Sequence, residues 1–142
     1  MIRTLLMVGA GIGFGAGGMA LANVHEDGER VKVLSVRDIP QTLDGEEATV
    51  TVVEVTIGPG KGGLPHRHPG PTFGYVLEGE YELGIDDGTT QIVKAGETFY
   101  EPAGSVHRVS RNPAAKGNTR LVAMVLHPRD AKEIAAPEHG NE

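Results

Sequence analysis

The chain is cut into short β-forming runs that are closed, one after another, by glycine or proline. That punctuation constrains the fold more than any other feature. Val31–Val36, Ala48–Ile57, Phe73–Leu77, Tyr81–Ile85, Thr90–Val93, Glu97–Glu101, Val106–Ser110 and Arg120–Leu126 are rich in Val, Ile, Thr and aromatic residues and lack a helical period. Roughly eight or nine short strands spaced about ten residues apart imply a sandwich or barrel. Gly58-Pro59-Gly60 ends the second run, Glu78-Gly79-Glu80 separates two runs as a hairpin does, and Asp86-Asp87-Gly88 is a tight-turn signal in which glycine can take positive φ. Twenty-one glycines and nine prolines fit this reading, and three Phe, three Tyr and no Trp make the core mainly aliphatic. At 142 residues the chain suits one domain. It has no amphipathic helix of useful length; a single helical turn is expected around Ala131–Ile134, in a polar tail that frays.

Residues 1–22 read differently. Arg3 is their only charged side chain, an apolar stretch runs from Leu5 to Met19, and Ala20-Leu21-Ala22 closes it with small residues. This is the pattern of a secretory signal peptide cleaved after Ala22, which implies a periplasmic or secreted protein. The alternative is an uncleaved anchor, because the apolar run approaches the shortest length that spans a bilayer. Gly13, Gly15 and Gly18 match G-x-G-x-x-G, but no strand precedes them and no βαβ unit follows, so no dinucleotide site is expected. After cleavage no stable membrane span remains. The formal charge of −6, without a basic cluster, excludes nucleic acid as a partner. The absence of cysteine removes disulfides, thiolate nucleophiles and thiolate metal sites together.

Any metal must therefore sit on imidazole and oxygen. His66-Arg67-His68 places two imidazoles on one face if the segment is extended, and His107 opens another predicted strand about forty residues on. Two histidines from one strand and one from a neighbour can hold one divalent transition metal (Fe, Mn, Ni, Cu or Zn) with positions left open for water or substrate.

The surrounding residues read Gly60-x5-His66-x-His68-x3-Thr72-x6-Gly79 and Gly96-x5-Pro102-x-Gly104-x2-His107. They closely resemble the two motifs of the cupin superfamily, G(x)5HxH(x)3,4E(x)6G and G(x)5PxG(x)2H(x)3N, and Tyr75-Val-Leu-Glu-Gly79 is typical of its small single-domain bacterial members. The resemblance covers about residues 48–126. It implies an all-β double-stranded β-helix, or jelly roll, with His66, His68 and His107 as metal ligands in the barrel mouth. The usual glutamate ligand of the first motif falls at Thr72. The closing asparagine of the second falls at Arg111, with Asn112 one place late. Three neutral imidazoles leave a divalent ion its full +2 charge, which favours an anionic or enolate ligand.

Other residues weigh less. Glu101 is a catalytic or fourth-ligand candidate whose default is a solvated carboxylate. Tyr75, a catalytic candidate beside Glu101, and Tyr100 are pocket candidates whose default is core. Arg67 should point away from the ligands, toward a structural or dimer contact. His127 reads as a surface residue at a strand end. His25, near the new amino terminus, is an alternative amino-terminal metal site, and His139 lies in the tail. The chain thus divides into a signal peptide (1–22), an extension with a first strand (23–47), a cupin domain (48–127) and a polar tail (128–142). Three functions compete: an exported metal-dependent enzyme, of dioxygenase or isomerase type, acting on a small anionic or enolizable molecule; a non-catalytic periplasmic module that binds a small molecule or metal; and a metal-stabilised structural scaffold. A homodimer is expected, with the Val31–Val36 edge as a natural contact.

Overall fold

The computed structural model describes residues 23–24 and 28–138. The signal-peptide reading of residues 1–22 and the histidines His25 and His139 lie outside them. The elements in chain order are β1 (Asn23–Val24), β2 (Glu29–Leu43), β3 (Glu46–Ile57), β4 (His66–Arg67), β5 (Thr72–Glu78), β6 (Glu80–Ile85), β7 (Gln91–Lys94), β8 (Thr98–Glu101), β9 (Val106–Arg111), β10 (Thr119–Pro128) and β11 (Ala136–Pro137). They form two antiparallel sheets, β1-β2-β3-β10-β5-β8 and β11-β4-β9-β6-β7, the all-β jelly roll that the strand series predicts.

The core lies between the sheets, and strand alternation builds it. In β3, Val53, Val55 and Ile57 point inward, and Val52, Glu54 and Thr56 do not. In β10, Leu121, Ala123 and Val125 are buried on the same beat. Tyr81 and Leu83 of β6 and Val93 of β7 close the core from the other sheet. Each fully buried aliphatic side chain contributes about 1.5–3 kcal/mol.

Three departures from the sequence reading have local causes. β2 runs 15 residues, well beyond Val31–Val36, and passes through Pro40. Its pairing with β3 slips between Val33 and Ser35 and between Ile39 and Thr42, and the second irregularity takes up the residue that cannot donate to the ladder. At the β6 turn the left-handed residue is Asp86 (φ 45°), not Gly88. Its carboxylate accepts from the Val106 amide at 2.7 Å, tying the turn to the start of β9, a bond that an Asp supplies and Gly cannot. The expected helical turn at Ala131–Ile134 does not form. The chain instead turns at Arg129–Asp130, where the Ala131 N–H donates to the Pro128 carbonyl, and bends on into β11, which pairs with β4; Glu138 N–H donates to the Pro65 carbonyl. Arg67, between the two histidines, faces away from them and secures this return. Its guanidinium donates to both Glu138 carboxylate oxygens (2.7 and 3.1 Å) and to the Gly104 carbonyl (2.6 Å).

Candidate metal centre

β4 and β9 pair with His66 directly opposite His107, and His68 follows one residue beyond the end of β4. The three side chains converge. One ligand atom from each lies within 4.8 Å of the others, and His66 Nε2 is 3.3 Å from His68 Nε2. Hydrogen bonds fix two of the rings from behind. His66 Nδ1 meets the Leu64 carbonyl at 2.8 Å and His68 Nδ1 meets the Ile134 carbonyl at 2.5 Å. A ring that donates through Nδ1 presents a bare Nε2 lone pair to the cluster, as a metal ligand must. The Ile134 carbonyl belongs to the C-terminal return, so the tail helps to build the site.

His107 is 3% exposed. Its Nε2 lies 3.1 Å from the Tyr81 hydroxyl, which also meets Ser110 Oγ at 3.0 Å. Its Nδ1 lies 3.1 Å from Glu101 Oε2 and 3.4 Å separates Glu101 Oε2 from His68 Nε2. Glu101 is 3% exposed, so the carboxylate expected to be solvated is inside. His107 Nδ1 is nevertheless not aligned for a hydrogen bond to it, and Thr72 Oγ1, also buried, has no partner. Two polar atoms without partners, beside a set of imidazoles, fit a bound cation and its water.

Burial is the largest influence on the titrating groups of the cluster, and their neighbours decide the net direction. Burial lowers the His66 imidazole to about 4, with the Leu64 carbonyl opposing and the neighbouring His107 and His68 adding to the shift. Burial also pulls His68 down, but Glu101 and the Ile134 carbonyl outweigh it and the net shift is upward. Burial works to raise Glu101, yet His107 and His68 hold its carboxyl at about 2. Burial, then the Glu101 charge, pushes the Tyr81 phenol well above its ordinary range, with Ser110 opposing. At neutral pH the cluster therefore holds a neutral His66, an ionised Glu101 and a protonated Tyr81.

The cluster lies on the wall of a cavity of about 720 Å³ whose floor is apolar, formed by Val53, Val55, Phe99, Leu121 and Val125. Residues 131–135 and Pro137 wall one side.

The remaining candidates scatter. Tyr75 and Tyr100 are half exposed on the outer face, away from the cavity and the core alike. His127 is buried, not at the surface. It meets Thr51 Oγ1 at 2.9 Å and the Pro128 carbonyl at 2.8 Å, at the cavity wall. Asn112 is buried and donates to the Ile57 and Gly117 carbonyls, so it secures the loop after β9. Arg111 pairs with Glu82. The sequence reading passed over Tyr81, although it shares its face with Leu83, an inward position of the same strand.

The fold finds its counterpart in one family: residues 53–125 match the Cupin domain. The chain belongs to the cupin family. Among its relatives, Germin-like protein 3-5 of Oryza sativa subsp. japonica is 37% identical over 95 residues, covering 60% of this chain and 40% of the relative. Oxalate oxidase 1 of Hordeum vulgare is 36% identical over 89 residues, covering 57% of this chain and 43% of the relative. This cupin thus spans about two fifths of the length of the curated relatives it matches. An RmlC-like cupin from Shewanella frigidimarina has the same fold, with a TM-score of 0.56 and 20% identity over 82% of this chain and 92% of that one. The double-stranded β-helix is therefore the architecture of this cupin. Among its described residues no helix is long and apolar enough to cross a membrane.

Proposed function

We propose that this cupin holds one divalent transition metal (Fe, Mn, Ni, Cu or Zn) on His66, His68 and His107 and presents it to a small anionic or enolizable molecule in the adjoining cavity, as an oxidoreductase or isomerase. The observation that carries this reading is the convergence of three imidazoles, two of them oriented by backbone carbonyls, on the wall of a largely apolar cavity. A divalent ion bound there supplies Lewis-acid polarisation of a coordinated oxygen and, for a redox metal, electron transfer. The residues do the remainder. His66 and His68 keep their Nε2 lone pairs aimed inward. The Tyr81 hydroxyl orients His107. The aliphatic floor excludes water and favours an acid or enol with an apolar body over a fully polar dianion. The likeness to an oxalate oxidase supports oxidation of an organic acid as the reaction class. The chain would be exported by residues 1–22 to the periplasm or beyond, and would pair as a homodimer through the β2 edge.

The apolar lining also suits a second reading, a module that captures a metal-chelating ligand without turnover. Oxygen uptake, together with NMR of each compound to detect conversion that consumes no oxygen, decides between them. The full chain, loaded with Fe(II) or Mn(II), is presented with a panel of diols, flavonols, thiols and organic acids including oxalate. Turnover on any member establishes the enzyme. Saturable binding without turnover across the panel establishes the capture module. A chain that takes up no metal ends both.

A further inference from the structure

We propose that Glu101, on β8, is the fourth protein ligand of the metal centre, so that the site is three imidazoles and one carboxylate drawn from β4, the segment after it, β8 and β9. The inference rests on the reading of the histidine cluster as a metal centre and adds a ligand to it.

Three of the separations match those of a coordination shell, while the widest among the three imidazoles, 4.8 Å, would have to close by several tenths of an ångström around an ion. Ligand atoms bonded at about 2.1 Å to one ion stand about 3.0 Å apart along an octahedral edge and about 3.4 Å apart along a tetrahedral one. His66 Nε2 to His68 Nε2 is 3.3 Å, His68 Nε2 to Glu101 Oε2 is 3.4 Å, and His107 Nδ1 to Glu101 Oε2 is 3.1 Å. A simple ion pair would align the His107 N–H along the line to the carboxylate. Here the Nδ1 atom is close to the oxygen, buried, and makes no hydrogen bond. Two buried ligand atoms this close, with no hydrogen bond between them, are what a cation held by both would explain.

Burial gives the second argument. A carboxylate 3% exposed is costly unless its charge is met. The groups facing it from β9 and from the segment after β4 are histidines, which ligate best when neutral. A divalent ion meets the carboxylate's charge with all three rings neutral.

The third argument is register. Thr72 of β5 pairs directly with Glu101 of β8, so the two side chains share one inward face. Thr72 Oγ1 is buried without a partner. A water on the metal's remaining position would give that hydroxyl its bond. With Glu101 bound, the ion's net charge becomes +1 where three imidazoles alone leave +2. The centre then still attracts an anionic donor but binds a dianion less tightly.

The test is Co(II) affinity by chelator competition, with the visible Co(II) spectrum, on the full chain and on Glu101→Gln and Thr72→Glu/Glu101→Gln variants. Glu101→Gln is expected to weaken binding by about tenfold or more and to change the spectrum. The double variant, which restores a carboxylate on the paired strand, is expected to recover part of that loss. Wild-type affinity and an unchanged spectrum in Glu101→Gln would overturn the assignment and leave Glu101 an acid–base group. A wild-type chain that binds no Co(II) would instead overturn the metal centre itself. Should Glu101→Gln fail to fold by circular dichroism, the infrared difference spectrum of the wild-type chain with and without Co(II) decides. A shifted pair of carboxylate stretches supports the proposal, and no carboxylate change overturns it.

Discussion

Ten consecutive register pairs join β3 to β10, from Ile57–Thr119 to Ala48–Pro128. β4 joins β9 through two pairs and β11 through two more. The long ladder carries the period-2 pattern that buries Val53, Val55, Leu121 and Val125, and little but packing is asked of it. The short corner carries His66, His68, His107 and the Ile134 carbonyl. Its strands are too brief to hold one another by ladder bonds alone, so side chains complete the work: Arg67 on Glu138, His68 on Ile134, Tyr81 on His107. Stability should therefore be concentrated in one region and metal affinity in the other, and substitutions can separate the two.

Leu121→Ala in the ladder carries the largest expected cost, about 2–5 kcal/mol in urea unfolding, because a 2%-exposed leucine leaves a cavity that the rigid sheet cannot close. The fraction that stays folded should bind metal normally. Gly74→Ala comes next. A methyl there would lie 1.9 Å from the Phe99 ring, so the ring must move, at about 1–3 kcal/mol. Phe99 packs against Tyr81 with ring centroids 5.2 Å apart, and this variant should therefore weaken metal binding as well as stability, which would show how far the two regions are joined. Tyr81→Phe removes one hydroxyl that serves both His107 and Ser110, at about 0.5–1.5 kcal/mol, with a measurable loss of metal affinity in calorimetry. Arg67→Ala is the sharpest separation. The unfolding midpoint should not move, since the Glu138 pair is exposed. Metal affinity should fall about tenfold as the Ile134 carbonyl loses its hold on His68. An equal loss of stability and affinity in all four variants would erase the distinction between ladder and corner.

The ladder was legible in the sequence because alternation over ten residues admits one register. The histidine set was legible because spacing and flanking glycines mark it without knowledge of packing. Glu101 was not. Thr98-Phe99-Tyr100-Glu101 carries an aromatic residue on each face, so the period alone leaves both registers open. Phe99 turns inward at 7% exposure, partly because Gly74 opposite leaves room for its ring, and Glu101 follows it in. That is a fact of pairing between distant segments. The C-terminal return was missed for a similar reason. A polar tail with one bulky apolar residue, Ile134, looks unstructured until β4 supplies the partner strand. Ile134 was the available signal, since it packs against the core. His127 was misplaced because a Pro after a strand resembles an exposed end, whereas Thr51 across the ladder gives its ring a buried partner.

The central claim is that His66, His68 and His107 hold a divalent ion. Metal content per chain, measured on the purified full chain and on His68→Ala after equal exposure to Co(II) or Mn(II), tests it most directly. The account predicts one ion per wild-type chain and almost none in a folded His68→Ala variant. A stoichiometric ion retained by His68→Ala, or a wild-type chain that stays metal-free, would contradict it.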